Sequence, residues 1–395
     1  MVDTADAVIV GAGVNGASTA FHLADAGIKK VVVVERRHIA AGATGKSGAL
    51  VRMHYTNEPE TRLAVTSLNY FQHWDDLVGG DCGFRPVGLL VFVPPKYRTH
   101  LEANVMMQRR VGVRTSLITA DEAQELDPCL YVGDVTHVAY EPDSGYADPS
   151  ETTYSLVRAA TRRGARFLLD TEVIGVRTEG GRVTGVQTSQ GAIASPVVVV
   201  IAGAWANRLF APIGVDLGLT PMLGRVVTFR WAYDRSPRHL TYIDHVHSSW
   251  ARPIDTNCTL VGAEALGGPP DDPDHFSQAV PPDYFELCRE KLVKRFPVMQ
   301  HSSVRGSWQC IMMRSPDSRP LIGPLRQYDG LYCMAGDSGT SFKTAPAIGK
   351  GLAELIVAGR AKTVDLHPFR PTRFAEGEPW CDQSDYGLDR ATIGR

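Results

Sequence analysis

Gly11, Gly13 and Gly16 stand at G-x-G-x-x-G spacing in GAGVNG, and Glu35 ends the apolar run VVVVE that follows. That spacing suits a pyrophosphate. The first glycine permits a tight turn, the second lets backbone approach the phosphates, and the third lets a helix pack closely on a strand. A helix opening at Val14 and Asn15 would aim free N–H groups and the positive end of its dipole at the anion. Glu35 suits ribose hydroxyls and would repel the extra phosphate of NADP, which leaves FAD and NAD as ligands. A second stretch with chemical potential is WQCIMMRSPDSRPLIGP, Trp308 to Pro324. Its Cys310 is either a small buried apolar residue, as free cysteines commonly are, or a covalent tether for a cofactor.

The elements that must position these residues follow from periodicity. Ala7 to Val10 reads as a strand, Val14 to Ala26 as a helix and Val31 to Glu35 as a second strand. Later, a helix over 150–163 runs into a strand, a hairpin turns at Gly180-Gly181, and VVVVIAGAW closes the piece. Leu331 to Gly339 is again strand then glycine loop, followed by a helix from Phe342 to Val357. Gly88 to Val93, Arg225 to Phe229 and Thr259 to Ala263 differ: they are β-rich, punctuated by Pro and Gly, and predict an antiparallel sheet. The two kinds of segment alternate, so the domains are discontinuous. The expected class is α/β (α+β): a Rossmann-like dinucleotide-binding domain from 1–85, 148–218 and 318–361, an antiparallel-sheet substrate domain from 86–147 and 219–317, and a polar tail over 362–395.

Composition narrows the partners. The chain has 395 residues, 44% hydrophobic, with a formal charge of −2 and no long basic run, so neither nucleic acid nor anionic lipid is expected. A small molecule is the expected partner. Seven cysteines, an odd number with no Cys-x-x-Cys pair, suit a reduced interior. No apolar run approaches the roughly 18 residues of a membrane span, and MVDTADAVIVGAG enters a strand without a leader-like pattern, so a cytoplasmic protein with no metal is expected.

Seven pieces in order resemble the flavin-dependent amine oxidoreductases of the D-amino-acid oxidase superfamily, in the sarcosine oxidase and glycine oxidase branch. They are GAGVNG with Glu35-Arg36, GATGKSGALVRMHY (Gly42 to Tyr55), Asp148-Pro149, TEV (Thr171 to Val173), AGAW (Ala202 to Trp205), SPDSRPLIGP and AGDSGTSFKTAPAIG (Ala335 to Gly349). The resemblance runs from Ala7 to about Ala358. It implies FAD as cofactor and an FAD-binding domain beside an antiparallel substrate domain. It puts the adenine near Val173, the pyrophosphate near Ala202, Gly203 and Trp205, and the flavin ring near Gly339 and Thr340. Ala43, Thr44 and Gly48 are further implied FAD contacts.

The same resemblance gives roles to two cations. Arg52 falls where the monomeric sarcosine oxidases hold the substrate carboxylate with an arginine, and Lys343 where they use a lysine. The competing readings are a salt-bridged surface arginine and a solvated helix start, though a lysine in a first helical turn opposes the dipole. Cys310 falls where that branch forms a thioether to the flavin, six residues before Pro316 (316 − 310 = 6). Met312 and Met313 stand where it prefers an aromatic residue. Trp250 falls at a substrate-side Tyr, Val261 at the lysine credited with activating oxygen, and Ala265 at a histidine. No lysine occurs between Lys96 and Lys291. These apolar and bulky replacements suggest a substrate larger or greasier than sarcosine. His54, Tyr55, Tyr242, His245 and His247 are candidates to tune amine protonation.

The expected reaction is oxidation of the C–N bond of an amino acid or of an N-methyl or cyclic amine carboxylate. Hydride passes to FAD, the imine is hydrolysed, and oxygen is reduced to hydrogen peroxide. A dehydrogenase with another electron acceptor, 2-hydroxy-acid oxidation on the same fold, and a flavin-carrying subunit are the alternatives, and an oligomer is left open.

Overall fold

A computed structural model describes residues 4–232, 239–255, 257–264 and 272–387. Four consecutive buried valines, Val31–Val34, lie beside Ala7–Val10 in a six-stranded sheet. β-branched side chains suit a strand that is covered on both faces. The order across this sheet is Leu321–Pro324, Leu331–Ala335, Val198–Val200, Ala7–Val10, Val31–Val34 and Arg166–Leu168, parallel except at the first edge. Alternation divides its side chains. Ala7, Ile9, Val31 and Val33 join the helices on one face. Val8, Val10, Val32 and Val34 meet the antiparallel meander Val173–Ala194 on the other.

Three helices cover the first face: Val14–Asp25, Pro149–Arg162 and Ala345–Ala358. Asp148 caps the second by accepting from the Ser150 and Glu151 amides at 2.8 Å each, with Pro149 at its first position. The last helix lies directly on the first. A Cβ at Gly349 would stand 2.2 Å from Ser18 Oγ, and that hydroxyl donates to the Ala345 carbonyl at 2.8 Å.

The second half is an eight-stranded sheet in the order Ser303–Arg314, Thr220–Arg230, Cys258–Ala263, Ser249–Ile254, Thr241–Asp244, Leu89–Phe92, His137–Glu141 and Ser116–Thr119. It is antiparallel as expected, except that Thr241–Asp244 and Leu89–Phe92 run parallel, where two separate passes of the chain meet. One face, with Leu90, Phe92, Tyr242, Ala251 and Val261, packs under the helix Pro282–Arg295. The other carries Leu89, Val91, Ile243 and Trp250 and is turned to the first half. Among the described residues, no helix is long and apolar enough to cross a membrane, and no group of three or more His, Cys, Asp or Glu is placed to hold a metal ion.

Candidate functional site

The glycine turn is fixed by contact on both sides. Gly11 adopts φ 106°, and a Cβ there would stand 2.4 Å from the Ile201 carbonyl oxygen. At Gly16 a Cβ would stand 2.0 Å from the Gly11 carbonyl oxygen, so helix and turn meet only through glycine. A cleft of about 1210 Å³, counted to its open mouth, begins at this turn. Gly11, Gly13, Val14, Asn15, Glu35, Arg36, Ala43, Thr44, Val173, Ala202, Gly203 and Trp205 all line it.

The chemistry of this lining fits a dinucleotide. Glu35 accepts from the Ala12 and Arg37 amides at 2.9 Å each, which orients the carboxylate and leaves lone pairs for ribose hydroxyls. Asn15 donates to Ser341 Oγ at 3.0 Å, while its buried Oδ1 has no partner among the described residues. Thr44 Oγ1 accepts from the Val14 amide at 3.2 Å. At the mouth the Arg36 guanidinium lies 4.8 Å from the Trp205 ring centroid. Asp274 Oδ1 accepts from Trp205 Nε1 at 2.8 Å and forms an ion pair with Arg36 at 2.9 Å. Sequence reasoning missed Arg37, Arg208 and Asp337 in this wall.

The cleft wall ends at Asp337, and the loop continues through Gly339 and Thr340 to Lys343. Here the two predicted cations come together. Arg52 is 3% exposed and Lys343 7%. The Arg52 guanidinium lies 4.5 Å from the Tyr55 ring centroid and the Lys343 ammonium 5.1 Å. Arg52 follows the short strand Leu50–Val51, which is laddered to Gly145–Tyr146, and its guanidinium donates to the His54 carbonyl. Lys343 Nζ donates to the Thr340 carbonyl at 2.9 Å. Neither forms an ion pair among the described residues. Burial, and then repulsion from Arg52, hold Lys343 well below the usual ammonium range. Burial likewise lowers Arg52, against the opposing pull of Tyr55, Glu141 and Glu60.

Other predicted residues surround this pair. His54 Nε2 is 2.7 Å from the Tyr386 hydroxyl, and burial followed by the Arg52 charge keeps its imidazole neutral, well below the usual range. The Trp250 indole covers Gly48 and Gly262, where added Cβ atoms would stand 2.1 and 2.4 Å from the ring. Gly48, Gly339, Thr340 and Cys310 thus lie beyond the cleft wall, while Gly16 serves packing beneath it. Cys310 is 6% exposed, and a Cβ at Gly224 opposite would stand 3.3 Å from its sulfur. Burial pushes this thiol up to about 11, with the Lys46 ammonium pulling the other way.

Three residues fall elsewhere than the sequence count placed them. Tyr242 packs with Phe92 and Phe296 on the helix-covered face. His247 is held by Asp244 at 2.8 Å and Asp134 at 3.4 Å, part of the network around buried Arg295. Val261 is wholly buried on that same face. A shift of one residue along a strand exchanges faces, and Val261's neighbour Gly262, opposite Trp250, is the one turned to the site. Ala265 lies outside the described residues. His245 packs against Tyr386, with ring centroids 4.9 Å apart.

Two site residues carried no sequence signal. Arg252 is buried, donates from Nε to the Gly48 carbonyl at 2.6 Å and lies over the Tyr146 ring at 4.6 Å. Burial lowers it to about 10. Glu141 is fully buried, accepts from the Met53 amide at 3.0 Å and Ser144 Oγ at 2.6 Å, and is raised by burial.

Comparison with known proteins agrees with a flavin site. The chain is 25% identical to sarcosine oxidase subunit beta of Rhodobacter capsulatus over 383 residues, covering 94% of this chain and 90% of that protein. It is 27% identical to the mitochondrial sarcosine dehydrogenase of Homo sapiens, covering 94% of this chain but only 41% of that longer protein. The crystal structure of L-proline dehydrogenase from P. horikoshii superposes with a TM-score of 0.89 at 27% identity, covering 96% of this chain and 100% of that one. Residues 6–355 match the family model described as FAD dependent oxidoreductase, and the chain belongs to that family, with FAD as its cofactor.

Proposed function

We propose that the chain oxidises the C–N bond of an amino acid or of a secondary amine that carries a carboxylate, N-methyl and cyclic amines included. The observation that supports this reading most is the pair of buried cations over Tyr55, neither ion-paired among the described residues. Leaving buried charge uncompensated costs several kcal/mol, and a substrate carboxylate between Arg52 and Lys343 offsets that cost. The planar guanidinium offers two parallel donors and the ammonium a point charge, a combination that fixes both position and orientation. Bound FAD supplies the hydride acceptor. Trp250 over Gly48 shields the site from water. The names of two relatives, on sarcosine and on L-proline, belong to amines of this class.

Oxygen, reduced to hydrogen peroxide, is the acceptor in this reading. An acceptor other than oxygen is a second reading, favoured by Val261 and Gly262, which bring no cation to the site face of their strand. One experiment addresses both. The purified flavoprotein is mixed without oxygen with N-methyl, cyclic and primary amino acids and with 2-hydroxy acids, and bleaching of the flavin is followed. Bleaching by amines alone is expected, and bleaching by hydroxy acids alone would overturn the reading. Mixing the bleached protein with oxygen, then with an artificial quinone, separates oxidase from dehydrogenase by which one restores the colour within a turnover.

A further inference from the structure

We propose that Tyr386, on the C-terminal strap, is a positioning residue of the substrate site that orients Arg52 through His54. This rests on the reading of Arg52 and Lys343 as the carboxylate clamp.

The strap is anchored before it reaches the site. Arg373, 1% exposed, grips Asp317 with two hydrogen bonds of 2.8 and 2.7 Å, and the Trp380 amide donates to the same carboxylate at 3.0 Å. Asp382 then accepts from Thr56 Oγ1 at 2.5 Å, from Trp380 Nε1 at 2.7 Å and from Arg319. Arg319 in turn pairs with Glu60 at 3.0 Å. These bonds carry the chain onto the site-facing side of the large sheet, where Tyr386 joins the cluster of Trp250, Leu50 and Ile243.

The ring of Tyr386 is wedged between two imidazoles. Its centroid is 6.0 Å from that of His54 and 4.9 Å from that of His245, and the residue is only 3% exposed. Asn104 Nδ2 donates to the hydroxyl at 2.9 Å and also to the Ser384 carbonyl at 2.9 Å. The hydroxyl, which accepts from Asn104, shares a further hydrogen bond with His54 Nε2 at 2.7 Å. Burial keeps that imidazole neutral, with the Gln108 side chain near it. With the ring held at Nε2 and packed on the Tyr386 ring, the His54 carbonyl is fixed, and that carbonyl is the acceptor that aims the Arg52 guanidinium.

The test is Tyr386→Phe, which keeps the ring and removes the hydroxyl, in the full-length flavoprotein. Acetate serves as a non-oxidisable carboxylate, with its Kd read from the change in flavin absorbance, beside KM and kcat for the best amine of the panel. The expected result is a rise of roughly tenfold in Kd and KM, the size of one lost hydrogen bond. kcat stays within about twofold and FAD content is unchanged, while Tm falls only by the few degrees that one buried hydrogen bond is worth. A role in folding alone would lower Tm and FAD content and leave the acetate Kd of the folded flavoprotein at its wild-type value. Because Tyr386 acts through Arg52, adding Tyr386→Phe to Arg52→Ala should cause no further loss. Wild-type affinity in Tyr386→Phe, or losses that simply add in the double variant, would overturn the proposal. A wild-type protein that does not bind acetate fails at an earlier step and overturns the clamp itself.

Discussion

Arg52 and Lys343 lie over a single ring, that of Tyr55, at 4.5 and 5.1 Å, although one follows a two-residue strand near the start of the chain and the other precedes its last long helix. Both hydrogen bonds that hold them are to backbone carbonyls, of His54 and Thr340. A carbonyl orients a cation without neutralising it. An anion that comes from outside therefore meets cations that no carboxylate among the described residues has already paired, and its charge favours the ammonium form of Lys343.

Replacing Arg52 by Ala removes the two-donor grip. KM for a carboxylate amine should rise about a hundredfold, the loss of about 2 to 3 kcal/mol expected for a charged hydrogen-bonded contact. The effect on kcat should be much smaller and FAD should stay bound, since Arg52 is outside the dinucleotide cleft. Steady-state kinetics decide the matter, and an unchanged KM would remove Arg52 from the pocket.

Carboxylate affinity should fall on the alkaline side. Burial and the neighbouring Arg52 depress the Lys343 pKa in the free protein, and a bound carboxylate, as an opposite charge, raises it again. The ligand thus prefers the ammonium form. As pH rises through the free-protein pKa, affinity drops, and between the free and bound values one proton is taken up on binding. Acetate titrations from pH 6 to 10 should show this limb, and Lys343→Met should weaken binding and flatten it. A limb that survives in Lys343→Met would assign the titration to another group.

The flavin should leave the polypeptide when the protein is precipitated with acid. The Cys310 thiol is shielded and its pKa is pushed up to about 11, so little of it is thiolate at neutral pH. Colour in the supernatant is the expected outcome. Colour kept in the pellet, with a flavin-sized mass on the Cys310 peptide, would mean that Lys46 beside the sulfur outweighs burial once FAD is in place.

The dinucleotide cleft was readable because its signals are local. A glycine turn, an acidic residue at a strand end and the Asp148-Pro149 cap each act within a few residues of themselves. The substrate sheet was readable only as a sheet. Deciding which face Tyr242 or Val261 occupies needs a strand count correct to one residue, and both ended on the covered side. Arg252 and Glu141 gave no pattern because their roles come from contacts with distant backbone, at Gly48 and Met53. The strap was silent for the same reason: its polar residues find partners, Arg319, His54 and Asn104, that the chain brings near only after both halves have formed.

Acid should destabilise the fold between pH 6.5 and 4, and histidines are the cause. Burial lowers His239 to about 4 and His22 to about 3, against an ordinary value of 6.5. A proton in this window is taken up by the unfolded chain and refused by the folded one, so stability is complete above pH 6.5 and is lost as pH falls. At pH 5 each such histidine costs about 2 kcal/mol. Asp127, raised to about 6 by burial, opposes this, because it takes its proton more readily in the folded state. Its contribution at pH 5 is only about 1.4 kcal/mol, one pKa unit, so the histidines win. His239 is the one to change, because its neutral ring is fully bonded, Nδ1 to the Leu240 carbonyl at 2.7 Å and Nε2 to Thr259 Oγ1 at 2.8 Å. His239→Gln can keep one of these bonds without a titrating group. Its Tm should start lower than wild type at pH 7.5 and then fall less steeply toward pH 5. Parallel curves for the two proteins would clear His239 and place the acid sensitivity elsewhere.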